Sequence, residues 1–517
     1  MSNELVIHKN SSGTEIALIS GKKLIEFHKE SSGSSFQVGN FYLAKVKKIS
    51  PTLNAAFVDV GAERDAFLTY FDLGPNVLSV KKFTHLVQHG NMQQAELERF
   101  KLEPQTVKTG KIGQVLKVGD RILVQVVKEP MSTKGPKVTC DISLAGRYFV
   151  LVPFTNTISI SKKIGSPAEK KRLRDLATSL KTENFGVIIR TVSEGVEIEE
   201  LDRDLRGLIK KWDELKNNLR QAKLTDLVLG EGNRLFTLLR DMLNDSFTQI
   251  AVDDQTLLQD LKAYLQRISP GSEKILKLHQ GKTHIFDQFQ INRAIKSSFG
   301  KSVTFSGGAY LVIEHTEALH VIDVNSGNTS FDPQNREENV MKVNMEAVEE
   351  VARQIRLRDM GGIIVIDFID MKDPKKRNEL HSALRAAMKT DRAKHTILPM
   401  SKFGLVQITR ERVRPAMEIT TSEVCPSCNG TGRMESSVQL LNRLENMVAY
   451  LWDNMNHKHL KLKAHPLVTN YLKQGIISIR LKWWFKHKRW LKLEAAPNYG
   501  LSRLEFFDEA GHPIVGE

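Results

Sequence analysis

FQVGNFYLAKVKKISPTLNAAFVDVGAERDAFLTY (residues 36–70) and VGDRILVQVVKEP (residues 118–130) alternate apolar and polar residues in short runs, broken at Pro51 and at Gly61 to Glu63. Period-two patterning bounded by turn residues predicts short β-strands, and the two stretches together predict a small all-β barrel over residues 36–145. The intervening stretch near 74–112 is polar and rich in Lys, Gln and His, so it reads as a loop insertion in the barrel.

Working outward, ELVIHKNSSGTEIALISGKKLIEF (4–27) alternates around an SSG turn and predicts two or three further strands within residues 1–35. Residues 146–236 mix the strand-like GVIIRTV (186–192) with helical stretches such as PAEKKRLRDLATSL (167–180), giving an α/β module. More helical patterning fills 237–298. Between 299 and 420, YLVIEHTEALHVIDVNSG (310–327) predicts two strands, EENVMKVNMEAVEEVARQIRLRDMGG (337–362) an amphipathic helix stopped at Gly361 and Gly362, and GGIIVIDFIDM (361–371) a buried strand. After a short segment, 421–435, the remainder (436–517) opens with the helical SVQLLNRLENMVAYLWDNM (437–455) and carries the strand-like RLKWWFKHKRW (480–490). The fold class expected is multidomain, mixed α/β and β.

The 517 residues hold 75 Lys and Arg against 60 Asp and Glu, a net charge of +15 spread through the chain. A polyanionic partner is favoured, whether RNA, DNA or an anionic membrane. No apolar run approaches the ~20 residues that span a bilayer, and MSNELVIHKN lacks the order of a signal peptide. A cytoplasmic protein with no membrane segment is expected. Three cysteines, Cys140, Cys425 and Cys428, are too few for a disulfide framework.

Several residues carry chemistry. Asp323 and Asn325 lie two apart at the end of a predicted strand and so point to one face, and Asp367 ends another apolar strand with no cation beside it in sequence. Two carboxylates and an amide oxygen at strand ends form a hard-oxygen site suited to Mg²⁺. Acids at strand ends are also ordinary turn formers, and Asp370 competes for the same role. Phe57 and Phe67 are either core aromatics or rings exposed beside Lys45 and Lys47, where unpaired bases could stack. Cys425 and Cys428 sit on the Gly-rich knuckle CPSCNGTG, half of a tetrahedral zinc site. The only other cysteine lies far back in the barrel, so a second copy of the chain is the simplest source of the missing pair. RLKWWFKHKRW reads either as an RNA contact or as a half-buried sheet strand.

Two stretches carry a resemblance. V-G-x-x-Y-x-A-x-V-x-x-I followed by A-F-V-D-x-G resembles an S1 RNA-binding domain. HVIDVNSG, then NMEAVEEVARQIRLRDMGGIIVIDFIDM, DRAKHT and SKFGLVQITRER, is similar to the catalytic segment of the ribonuclease E/G family, and the likeness extends over nearly the whole chain. It implies an S1 barrel, a 5′-sensing module over 146–236, a ribonuclease H-like portion (1–35 with 237–298), a deoxyribonuclease I-like catalytic portion (299–420), a zinc link (421–435) and a small dimerising domain. The organisation is similar to that of ribonuclease G.

The resemblance assigns the catalytic magnesium to Asp323 and Asp367 with Asn325 orienting, and one structural Zn²⁺ per homodimer to Cys425 and Cys428, with a dimer of dimers left open. It assigns the 5′-monophosphate to Gly146, Val150, Arg190 and Thr191, and RNA contact to Phe57, Phe67 and Lys134. Family members often carry Arg-Arg near the sensor, where this chain has Lys162 and Lys163. The activity implied is Mg²⁺-dependent endonucleolytic hydrolysis of single-stranded RNA, leaving 5′-phosphate and 3′-hydroxyl ends, in processing of ribosomal and transfer RNA precursors and in messenger RNA decay. A non-catalytic S1-type RNA-binding protein is the alternative; it accounts for the charge and the barrel but not for the acid-bearing strands.

Overall fold

The computed structural model describes residues 2–31, 36–130, 134–244, 246–327, 336–412, 417, 419, 436–455 and 457–516. Residues Met1–Ile419 and Thr420–Glu517 form two units.

In the first unit, five strands close on themselves in the order Phe41–Ser50, Ala55–Asp59, Ala66–Thr69, Lys137–Thr139 and Arg121–Lys128. The last pairs back onto the first, with Phe41 opposite Gln125 and Lys45 opposite Arg121. This closed S1-like barrel is the one the alternation around residues 36–70 predicts. Leu43, Val46, Val58, Leu68 and Val124 fill its interior, and closure leaves no unpaired edge among the five strands.

The 74–112 stretch is not a loop. It folds into the helix Val77–Gln88 followed by three short helical turns. Val77, Val80, Phe83 and Val87 form the buried stripe of that helix, and Phe83 packs on Trp212 with ring centroids 5.0 Å apart. The Lys and His residues that made the segment look like a loop lie on its outer side, as an amphipathic helix requires.

Residues 144–189 form a four-stranded sheet in the order Ile158–Ile160, Phe185–Ile189, Phe149–Pro153, Leu144–Ala145. Over it lies the helix Ile198–Gln221, which buries Leu201, Leu205, Leu208, Trp212, Leu215 and Leu219 along one face. The N-terminal strands do not stand alone. Asn3–Asn10, antiparallel to Gly13–Ser20, runs parallel to Phe247–Val252, so a five-stranded sheet joins residues remote in sequence.

A six-stranded sheet follows, ordered Ser302–Thr304, Tyr310–His315, Leu319–Asn325, Gly362–Asp367, Leu405–Arg410, His395–Ile397. Its central strands Leu319–Asn325 and Gly362–Asp367 are parallel, joined through the helix Arg336–Leu357. Val348, Val351 and Ile355 of that helix bury against Ile322, Ile364 and Ile366 of the sheet. At the opposite end from the candidate active site, the buried Arg410 guanidinium binds Asp391 at 2.7 Å and Asp359 at 2.8 Å, tying the sheet to the loops below it.

The second unit holds the helix Ser437–Ala449 and a four-stranded sheet ordered Leu491–Ala495, Leu460–Ala464, Leu504–Phe507, Pro513–Gly516. RLKWWFKHKRW is not a strand: Ile479–His487 is a helix whose first turn is capped by Ser478, which accepts from the Leu481 N–H. The mixture of aromatic and cationic residues suggested a half-buried strand, yet only Trp483 is buried while Trp484 and Phe485 are exposed.

Candidate active site

Asp323 and Asp367 are register partners at the carboxyl ends of the two parallel strands. Neighbouring strands lie ~4.8 Å apart, and register partners in a parallel pair leave the sheet on the same face. The two carboxylates therefore stand side by side, at the end of an α/β sheet where ligands characteristically bind. Asn325, two residues beyond Asp323 on the same face, donates its amide N–H to Asp323 Oδ2 at 2.7 Å, which leaves its amide oxygen uncommitted. Burial, reinforced by the Asp323 and Asp370 charges, pushes the Asp367 carboxyl above the usual carboxylate range. Among the described residues no lysine or arginine pairs with Asp323, Asp367 or Asp370.

The chain beyond Asp367 is held from beneath. Asn344, fully buried on the helix Arg336–Leu357, donates to the Ile369 carbonyl at 2.8 Å and accepts from the Ile369 N–H at 3.1 Å. One side chain thus substitutes for a neighbouring strand and fixes the segment carrying Asp367 and Asp370. The turn at Gly404 approaches from the other side: its φ of +80° favours glycine, and a Cβ there would lie 3.1 Å from Asp370 Oδ1. The preceding residue, Phe403, is 83% exposed.

Among the described residues no group of three or more His, Cys, Asp or Glu side chains could enclose a metal. The donor set at the strand ends is two unpaired carboxylates with an amide oxygen, which suits an ion that keeps several waters. Mg²⁺ does so, whereas a closed tetrahedral zinc site does not. Asp323 and Asp367 are the residues that would hold it.

On the barrel, Phe57 and Phe67 are directly opposite each other on adjacent strands, half-exposed, with ring centroids 5.6 Å apart. They form one aromatic surface and are not core. Lys134 is exposed and precedes Gly135, where a Cβ would meet the Asp65 carbonyl oxygen at 2.3 Å, so it lies beside the strand that carries Phe67. Lys47 is already committed to Asp59 and Asp65.

A third group gathers at the sheet of residues 144–189. Arg190 Nη1 donates to the Gly146 carbonyl at 2.8 Å and its backbone N–H to Tyr148 at 2.9 Å. Val150 pairs with Ile188 on the strand leading to Arg190. The Thr191 hydroxyl lies 2.8 Å from that of Ser161, just ahead of Lys162 and Lys163. A Cβ on Gly146 would come within 2.6 Å of Asp204, whose carboxylate accepts the N–H groups of Arg147, Tyr148 and Phe149. All four residues assigned to the 5′ phosphate are thus in one neighbourhood.

Cys425 and Cys428 lie outside the described residues. Cys140 is buried in the barrel, and burial pushes its thiol far up, so it offers no thiolate. Asn344, Phe403 and Ser161 are not singled out by the sequence alone. Only Asn344 left a signal, as a polar residue on the apolar stripe of its helix.

A multidomain α/β protein with an S1-like barrel and a pair of acid-tipped parallel strands defines the class. Residues 143–413 match the model described as the ribonuclease E/G family. The chain is 32% identical over 470 residues to Ribonuclease G of Haemophilus influenzae, covering 91% of each. It is 31% identical to Ribonuclease G of Escherichia coli, covering 92% of this chain and 93% of that one. To Ribonuclease E of Nostoc sp. it is 35% identical over 79% of this chain and 56% of that one. The chain belongs to the ribonuclease E/G family.

Proposed function

We propose that this protein is a Mg²⁺-dependent endoribonuclease that hydrolyses single-stranded RNA within the chain. The observation that carries the reading is the Asp323–Asp367 register pair, two strand-terminal carboxylates with no cationic partner among the described residues. Asp323 and Asp367 would hold a Mg²⁺ that would supply Lewis-acid polarisation of the phosphate and activation of the attacking water. Water attacks phosphorus as the bond to the 3′ oxygen breaks, leaving a 5′-phosphate and a 3′-hydroxyl.

The chain's own residues hold and orient. Asp323 and Asp367 supply the negative charge, Asn325 fixes the Asp323 carboxylate, and Asn344 fixes the segment that follows Asp367. Phe57 and Phe67, with Lys134 beside them, offer a stacking surface for unpaired bases, worth roughly 1–3 kcal/mol per base. Phe403 offers another next to the carboxylates. Arg190 and Thr191, with Gly146 and Val150, take the RNA's 5′-monophosphate.

In this reading the modules are the S1 barrel, the 5′ sensor, the ribonuclease H-like and deoxyribonuclease I-like portions, a zinc link at Cys425 and Cys428 that joins two subunits, and a dimerising C-terminal domain. The substrates are ribosomal and transfer RNA precursors and messenger RNA, in the cytoplasm. No described helix is long and apolar enough to cross a membrane.

Incubation with a single-stranded RNA, with and without Mg²⁺, tests the activity. Cutting that appears only with the metal is expected; retardation of RNA without cutting in both arms would make the protein the non-catalytic S1-type binder.

A further inference from the structure

Arg190 is held from behind by a carboxylate that no motif announces. Its Nη1 makes two bonds, to the Gly146 carbonyl at 2.8 Å and to Asp241 Oδ1 at 2.7 Å. Among the described residues its Nε and Nη2 make none. A guanidinium carries five N–H donors in a planar fork, and an oxyanion is best gripped along one edge. With Nη1 tied back, the Nε–Nη2 edge is the one left to face a ligand.

Asp241 is itself immobilised. Arg240 donates Nε to Asp241 at 3.3 Å, while its Nη1 binds the Ala145 carbonyl at 2.9 Å and Glu231. The other anchor is equally fixed, since Asp204 holds the three N–H groups that follow Gly146. Arg190 and Asp241 are both largely buried, at 29% and 25% side-chain exposure, so their attraction is only partly screened by water.

We infer that Asp241 is a positioning residue for the 5′-phosphate sensor: it aims the free edge of Arg190 outward and so sets the preference for RNA with a 5′-monophosphate. The inference rests on the sensor reading above. A competing gate, in which Asp241 occupies the donors that the phosphate needs, does not suit the geometry. The carboxylate shares Nη1 with a backbone carbonyl and leaves a full edge unused, and Arg240 keeps it from swinging aside.

The test compares cleavage of one oligonucleotide bearing a 5′-monophosphate or a 5′-hydroxyl by wild type, Asp241→Asn, Asp241→Glu and Arg190→Gln. Because both substrates meet the same preparation, the ratio of rates is insensitive to the fraction of folded protein. Hydrogen bonds to charged groups contribute ~1.5–3 kcal/mol, so Asp241→Asn should lower the ratio by about tenfold or more. Asp241→Glu should restore part of it, and Arg190→Gln should abolish it. If Arg190→Gln collapses the ratio while Asp241→Asn leaves it intact, Asp241 does not position the sensor. A rise in the ratio with Asp241→Asn would show it to be a gate and overturn the inference. If Arg190→Gln leaves the ratio unchanged, the sensor reading itself fails, and this inference with it.

Discussion

Replacing Asn344 by alanine removes both hydrogen bonds that hold Ile369 and leaves the side-chain volume empty beneath the candidate site. A buried polar group deprived of its partner costs ~1–3 kcal/mol. Ile369 is only half-buried, so water can reach part of what is lost, and about 2–4 kcal/mol for the N–H and C=O together is expected. In a large unit this lowers the melting temperature by several degrees without unfolding the protein. The larger effect should be on turnover. Asp367 and Asp370 bracket Ile369, and misplacing a reacting geometry by ~1 Å costs on the order of 10²-fold in rate. Single-turnover cleavage under saturating Mg²⁺, with thermal melting on the same sample, measures both. Asn344→Asp, whose ionised carboxylate would be buried and face the Ile369 carbonyl oxygen, should destabilise at least as much as Asn344→Ala. A melting temperature that drops while the rate stays within about twofold of wild type would show that Asn344 supports the fold without positioning the site.

Cys425→Ser and Cys428→Ser should each release zinc and convert dimer to monomer, because metal occupancy and association are one equilibrium at a shared site; a stoichiometry of one zinc per chain, or an unchanged mass by light scattering, contradicts sharing. Glu26 predicts a pH dependence. Burial alone would raise its carboxyl, but the hydrogen bond with His28 and the Arg392 guanidinium 2.5 Å away outweigh it and hold the group at about 2. A depressed carboxyl stabilises the fold above its unfolded value, near 4.5, and that contribution disappears as pH falls through about 2. Glu26→Gln should therefore destabilise by up to roughly 3 kcal/mol at pH 7 and progressively less below pH 4.5; an equal loss at pH 7 and pH 3 would exclude this cause.

The parts of the fold and site that were legible in the sequence are those written in local periodicity. The barrel strands around residues 36–70 alternate cleanly, and Asp323 and Asn325 share a face by the pleat, whereas Asp367 comes beside them only through the register of two strands. The helix Val77–Gln88 was obscured because it lies in a stretch, 74–112, read as a loop from its Lys, Gln and His residues, although six of the helix's own twelve residues are apolar and recur on one face. In Ile479–His487 the cluster of aromatic residues suggested a strand, and one buried side chain, Trp483, is too little to betray the helical period. Asn344 left only the signal of a polar residue on an apolar helix stripe, and Asp241 left none. Each acts through a partner 25 or 51 residues away, and only tertiary packing makes those pairs neighbours.

The most direct test of the account is the rate of RNA cleavage by Asp323→Asn and Asp367→Asn, measured under single turnover across a Mg²⁺ titration, with RNA affinity determined in parallel. Each substitution keeps the shape and removes one of the two charges that face each other at the strand ends. Losing a metal-held charge should cost several kcal/mol in the transition state, roughly 10³-fold or more in rate. RNA affinity should stay near wild type, since binding rests on phosphate and base contacts elsewhere. Near-wild-type cutting by either variant would contradict the assignment of this carboxylate pair as the catalytic metal site.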